Sequence, residues 1–172
     1  YGNRDYEDAL VELRDTAVEQ GFTPLSAGAF IGEHSYSRPN MPVAAGRPDA
    51  DDLQKAEQFG HESLRKLQES TFPLPSFFIK GNVPYKPLPA GNNATPVCND
   101  LCYACGNCIE VCPTHAIHLS ADGSQIETIA ERCIRCCACV KGCPQKARTF
   151  DTPFAALLHD CFQRPKENRI IL

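Results

Sequence analysis

The chain has 172 residues, 42% of them hydrophobic and 22% charged, with a formal net charge of −4 and 11 cysteines. That length suits one ordinary globular domain or two small ones. No basic stripe is present to neutralise phosphates, which excludes a nucleic-acid binder, and no apolar run is long enough to cross a bilayer. Charge is uneven along the chain: residues 1–93 carry 9 Lys and Arg against 13 Asp and Glu, whereas residues 94–172 carry 8 of each.

Residues 5–20 read as an amphipathic helix with Tyr6, Leu10, Leu13 and Ala17 on one face, and Gly21 is a natural stop. Phe22 to Ile31 reads as a strand whose small, apolar run Ala27-Gly28-Ala29-Phe30-Ile31 lacks alternation, the pattern of a parallel strand covered on both faces. A loop with Pro39, Pro42, Gly46 and Pro48 leads to Asp49, a helix N-cap, and Asp51 and Asp52 lie in the first turn, where negative charge is favoured. This second helix is predicted to run to about Glu69, burying Leu53, Ala56, Gly60, Leu64 and Leu67.

Residues 72–97 hold six of the 14 prolines, which rules out a long helix or a central strand and marks a domain boundary. Phe72, Leu74, Phe77, Phe78, Ile79 and Tyr85 would be costly to leave in water, so the stretch is predicted to lie docked on a surface.

Cysteine then appears twice in one rhythm: Cys102, Cys105, Cys108 and Cys112 before Pro113, and Cys133, Cys136, Cys139 and Cys143 before Pro144, with matching positions 31 residues apart. Three thiolates spaced by two residues let a tight loop wrap three corners of a 4Fe-4S cube, one thiolate per iron, and the fourth comes from elsewhere. Zinc usually takes two separated C-x-x-C pairs, which would leave the middle cysteine of each triple and the Cys-Pro steps without a role. A disulfide scaffold conflicts with the absence of a leader or a transmembrane run, which makes a reducing cytoplasm the expected compartment. The repeat continues past the cysteines, Pro113-Thr114-His115-Ala116 lying over Pro144-Gln145-Lys146-Ala147. Ile117 to Leu119 and Gln125 to Ile129 are predicted to form a hairpin across Asp122-Gly123. So small a module has almost no apolar core, and cluster loading should be coupled to folding.

Thr152 caps and Pro153 opens a short helix with Phe154, Leu157, Leu158, Cys161 and Phe162 on one side, and Ile170, Ile171 and Leu172 suggest an extended tail packed on the body. Cys98 and Cys161 read as small buried hydrophobes, Cys137 as a spectator, and Tyr103 as a shield over its cluster. His34, His115 and His118 read as surface positions. No nucleophile with a local base, paired catalytic acids or phosphate loop argues for substrate chemistry.

The cysteine runs resemble those of bacterial two-cluster ferredoxins, in which the cysteine before proline serves the other cluster. Carried over, that resemblance gives one cluster Cys102, Cys105, Cys108 and Cys143, and the other Cys133, Cys136, Cys139 and Cys112. The opening Tyr1-Gly2-Asn3-Arg4-Asp5-Tyr6-Glu7-Asp8-Ala9 resembles the last loop by which flavodoxins grip FMN, where the tyrosine stacks on the flavin and the glycine and asparagine line its edge. With Ala45-Gly46-Arg47-Pro48-Asp49 and the ending Lys166-Glu167-Asn168-Arg169-Ile170-Ile171-Leu172, the chain resembles the back part of a flavodoxin-ferredoxin fusion of anaerobic bacteria.

That resemblance implies an α+β chain: the C-terminal part of an α/β flavodoxin-like domain over 1–71, a docked Pro-rich linker over 72–97, a two-4Fe-4S ferredoxin domain over 98–150, and a helix and tail over 151–172. The first strand and phosphate loop of a flavodoxin do not occur here, so the front of that domain is expected to be missing and FMN to bind only when it is supplied. The implied role is low-potential electron transfer with redox protein partners, as a carrier or as the iron-sulfur subunit of a larger redox enzyme.

Overall fold

A computed structural model describes residues 1–87 and 94–172. The chain divides into two compact units, Tyr1–Leu88 with Leu157–Leu172, and Pro89–Ala156. Of the Pro-rich stretch 72–97, residues 88–93 lie outside the described residues.

In the first unit, helix α1 spans Ala9–Glu19. Its buried residues are Leu10 and Val11, which meet Ala29, Ile79 and the half-buried Tyr1, Tyr6, Phe77 and Ile171. Each large aliphatic side chain removed from water here contributes about 2 kcal/mol. The predicted partner Leu13 faces solvent instead. Asp8 precedes the helix without capping it; its buried carboxylate accepts from Asn82 N at 2.8 Å, Asn82 Nδ2 at 2.7 Å and Lys86 N at 2.8 Å. These bonds tie residues 82–86 to the start of α1, and Tyr85 Oη donates to Asp15 at 2.7 Å; Phe72, Phe78 and Tyr85, expected to be covered, are exposed.

Strand β1 is shorter than the predicted span, Ala27–Ala29, and pairs antiparallel with β6, Arg169–Ile171, in the register Ala27↔Ile171, Gly28↔Ile170 and Ala29↔Arg169. The expected parallel strand is thus corrected. Pro24 interrupts the apolar run on one side, and the Ile-Ile tail supplies the neighbouring backbone.

Helix α2 spans Ala50–Glu69 and opens on a capping box in which Asp52 N donates to Asp49 Oδ1 and Asp49 N to Asp52 Oδ2, both at 2.9 Å. Its predicted leucine stripe does not face inward: Leu53 is 60% exposed, and Leu64 and Leu67 are exposed as well. The inner face is made by Phe59, tilted on Phe30 at 5.9 Å, by Ser63 against Ser26 at 2.7 Å, and by Lys66, which donates to Leu25 O at 2.7 Å. Hydrogen bonds to the segment entering β1 fix the rotation of the helix, and apolar periodicity carries no information about them.

The second unit is built from the 31-residue repeat. Helix α3 (Asn107–Glu110) leads to strand β3 (Ile117–Leu119), and α4 (Ala138–Lys141) leads to β5 (Arg148–Thr149). The predicted hairpin is present: β3 pairs with β4 (Ile126–Thr128) in the register Ile117↔Thr128, His118↔Glu127, Leu119↔Ile126. Its turn is held by the Asp122 carboxylate, which accepts from Ser120 Oγ at 2.6 Å and Ser124 N at 3.1 Å. Strand β2 (Val97–Cys98) pairs antiparallel with β5. The core is Cys108, Cys112, Ala116, Ile117 and Cys139, so thiols fill space that hydrocarbon fills in most domains. Helix α5 (Pro153–Cys161) follows, with Thr152 Oγ1 accepting from Ala155 N at 3.3 Å. Among the described residues no helix is long and apolar enough to cross a membrane.

Candidate metal centre

The two cysteine runs fold as two copies of one loop. Ala104 (φ 55°) and Gly106 (φ 82°) are left-handed in the first, and Arg135 (φ 58°) and Cys137 (φ 59°) in the second; His115 (φ 50°) and Lys146 (φ 52°) match in the same way after each Cys-Pro step. Left-handed residues set among right-handed ones turn successive N–H groups to one side, the concavity that anionic groups use. Glycine adopts this conformation without cost, whereas Cys137 in the second copy bears about 1 kcal/mol of backbone strain.

Each loop closes on a one-turn helix and ends at a cysteine held by its own backbone. Cys112 Sγ accepts from Ala116 N at 3.3 Å, and Cys143 Sγ from Ala147 N at 3.2 Å. Burial raises both thiols, but the converging N–H groups outweigh it and the balance lies below the ordinary cysteine value. Cys108 and Cys139 are more deeply placed; burial pushes both thiols up, opposed by Arg148. Cys105 and Cys136, in the middle of each triple, are exposed.

Cys112 of the first run lines one cavity with Cys133, Cys136 and Cys139 of the second, together with Pro96, Thr128 and Arg148. The first run is linked to the end of the second by Asn107, whose Nδ2 donates to Gly142 O at 2.7 Å, beside Cys143. Cys102 lines a separate open hollow with Cys98, Asn99 and Thr128. Among the described residues no three His, Cys, Asp or Glu side chains converge on a point suited to a single ion. A cube takes each thiolate on a different iron, so sulfurs spread around a cavity fit the cube.

The remaining cysteines differ. Cys137 is buried and its thiol donates to Arg135 O at 3.7 Å. Cys98 is half-buried, next to Cys102, with its sulfur 3.4 Å from Arg148 Nη1. Cys161 is exposed, contrary to the buried position its helix face suggested, and Tyr103 is 64% exposed. His115 and His118 are exposed, the latter 3.7 Å from Glu127 across the hairpin, and His34 is half-buried with its ring 5.1 Å from Tyr36.

One residue central to this unit escaped the sequence reading. Arg148 is 3% exposed; its Nη2 donates to Pro96 O at 3.0 Å and Thr128 Oγ1 at 2.7 Å. The signal was available in the repeat, since Arg148 occupies in the second copy the position that Ile117 holds in the first.

Tyr1, Gly2 and Asn3 are engaged within the first unit. The Tyr1 ring stands edge-on to Tyr6 at 5.6 Å, its backbone N donates to Phe30 O at 2.9 Å, and its hydroxyl donates to Glu167 O at 2.8 Å. Gly2 lies against the His34 ring, and Asn3 is buried with its Oδ1 3.4 Å from Lys166 N. A flavodoxin-like sheet is not shown by these elements.

Residues 101–148 match the family model described as a 4Fe-4S dicluster domain. The sequence is also 34% identical over 91 residues to one of the chains of polysulfide reductase from Wolinella succinogenes, a stretch covering 52% of this protein and 45% of that one. The chain thus spans about half the length of the curated relative it matches. Two complete cysteine runs, their paired loops and this match agree: residues 101–148 are a 4Fe-4S dicluster domain of ferredoxin type, and its chemistry is iron-sulfur electron transfer.

Proposed function

We propose that the chain passes electrons through two 4Fe-4S clusters as the iron-sulfur subunit of a larger redox enzyme. One cluster is held by Cys102, Cys105, Cys108 and Cys143, the other by Cys133, Cys136, Cys139 and Cys112. The observation that carries the ligand assignment is the cavity in which Cys112 joins Cys133, Cys136 and Cys139, across the two runs. A bound cube takes up and releases single electrons at a potential set by N–H···S bonds, burial and charge. The chain's own residues supply those settings: Ala116 N and Ala147 N donate to the cysteines before proline, and exposed Cys105 and Cys136 bring one edge of each site to the surface.

The subunit reading is preferred to a free carrier because the cluster unit exposes Val97, Leu101, Tyr103 and Ile134, large apolar side chains that a partner would cover. The relative it resembles is itself named as one chain of a reductase. Iron and labile-sulfide assays on protein kept from oxygen test the clusters, with about eight of each expected per chain. Native mass spectrometry of the same material tests the assembly. A monomer carrying both clusters and no companion chain would favour the carrier, and one or two zinc ions without sulfide would end the iron-sulfur reading.

A further inference from the structure

We propose that Arg148 is a fixed countercharge shared by the two clusters and raises the reduction potential of both; this rests on the two-cluster reading above. Arg148 is buried, yet among the described residues it forms no ion pair with a carboxylate, and the groups facing it are the sulfurs of Cys98, at 3.4 Å, Cys139 and Cys108. A buried guanidinium is expensive unless it is paired. Its hydrogen bonds are also incomplete. Among the described residues Nη1 and Nη2 have partners in Cys98, Pro96 and Thr128, and the buried Nε–H has no hydrogen-bond partner.

Both deficits disappear if the groups beside Arg148 are anionic clusters. Cys108 belongs to one proposed ligand set and Cys139 to the other, and Arg148 lines the cavity that Cys139 shares with Cys112, Cys133 and Cys136. A 4Fe-4S cube with four thiolates carries about two negative charges when oxidised and one more when reduced. Reduction adds one electron from the donor and no proton, and the guanidinium stays charged throughout. A fixed cation stabilises the more negative state more, so it makes each cluster easier to reduce. Pro96 O and Thr128 Oγ1 both accept from Nη2 while Nη1 reaches the Cys98 sulfur, which makes Arg148 a positioning residue, and a lysine ammonium, with one nitrogen, cannot span both sets of partners.

The test is a dithionite titration followed by electron paramagnetic resonance on the full chain, with iron and sulfide counted in every sample. Arg148→Met should shift both midpoint potentials to more negative values at unchanged cluster content, and Arg148→Lys should shift them less. Full cluster content with unmoved potentials, or equal shifts in the two variants, would overturn the proposal. If Arg148→Met fails to load, the wild-type protein labelled with 15N-arginine decides: a nitrogen coupling to the reduced clusters that vanishes in Arg148→Lys is expected, and its absence in the wild type overturns the inference. A wild-type chain that carries no clusters would instead remove the reading on which the proposal stands.

Discussion

Ile117 and Arg148 occupy the same place in the two copies of the repeat. Each follows a Cys-Pro turn by four residues, each begins a short strand, and they are 5% and 3% exposed, yet one is apolar and the other charged. The backbone treats the positions alike, since the preceding cysteine sulfur takes an N–H bond in both copies. The pseudo-symmetry of the unit is therefore broken in its interior by a single charge, and the two sites cannot be equivalent.

The proposed crossed ligation can be tested because that inequivalence should give the two clusters different signals. Cys143→Ala should damage the cluster that includes Cys102, Cys105 and Cys108, although Cys143 lies in the second run, whereas Cys139→Ala should damage the other. Spin-resonance spectra of the reduced variants would separate the two signals. If both substitutions perturb the same signal, the crossed assignment is wrong. Cys98→Ala, Cys137→Ala and Cys161→Ala should each leave both signals in place.

Asp52 should be a keystone of the first unit. It is 1% exposed and accepts from Arg47, Asp49 N and Asn168 Nδ2, the last at 2.8 Å, while Asn168 Oδ1 accepts from Ile31 N at 2.8 Å. One carboxylate thus ties the start of α2 to the tail and to the chain leaving β1. Asp52→Asn removes the carboxylate that Arg47 meets most closely, leaving it the Asp49 carboxylate at 3.3 Å, and should cost about 1–3 kcal/mol, measured by urea unfolding. The Arg47 guanidinium holds the carboxyl well below the usual carboxylate range, against the opposing effect of burial. Its contribution is therefore present above the unfolded-state value near 4 and is lost as pH falls toward the lower folded value. The variant's stability should fall less on acidification over that window.

Gly81 is required by close approach. A Cβ built there would lie 2.2 Å from Val11 Cγ1, and Val11 is buried in α1 against the core. Gly81→Ala should destabilise the first unit by about 1–3 kcal/mol, as overpacking does. The same thermal or urea melts measure it, with Gly32→Ala, which meets nothing within 4 Å, as the control.

Much of this was legible in the sequence where chemistry dictates local geometry. The cysteine spacing, the hairpin across Asp122-Gly123, the Asp49 cap and the Thr152 start each depend on residues within a few positions of one another, and each is present. What misled was long-range pairing. The leucine stripe of α2 implied one face, but Ser26 and Leu25 O bind another; the apolar run around β1 implied parallel neighbours, but the tail pairs with it in reverse. Arg148 was passed over because an arginine in sequence reads as solvated, and only its neighbours reveal the burial.

FMN added to the purified chain should not bind tightly. Flavin stacking needs an open face on Tyr1, but that ring joins the packing of Leu10, Val11 and Ile79 and meets Tyr6 edge-on. The phosphate needs several converging N–H donors. Three amides of the segment that meets this loop are committed: Gly32 N to Tyr1 O at 2.9 Å, Glu33 N to Arg47 O at 2.7 Å, and His34 N to Val43 O at 3.1 Å. A ring held by stacking alone, without an anchor for its phosphate, gains little beyond the area it covers. Titration followed by quenching of flavin fluorescence should show no saturable complex at micromolar FMN. Stoichiometric quenching that is lost in Tyr1→Ala would reinstate Tyr1, Gly2 and Asn3 as a flavin loop and require the first unit to open around them.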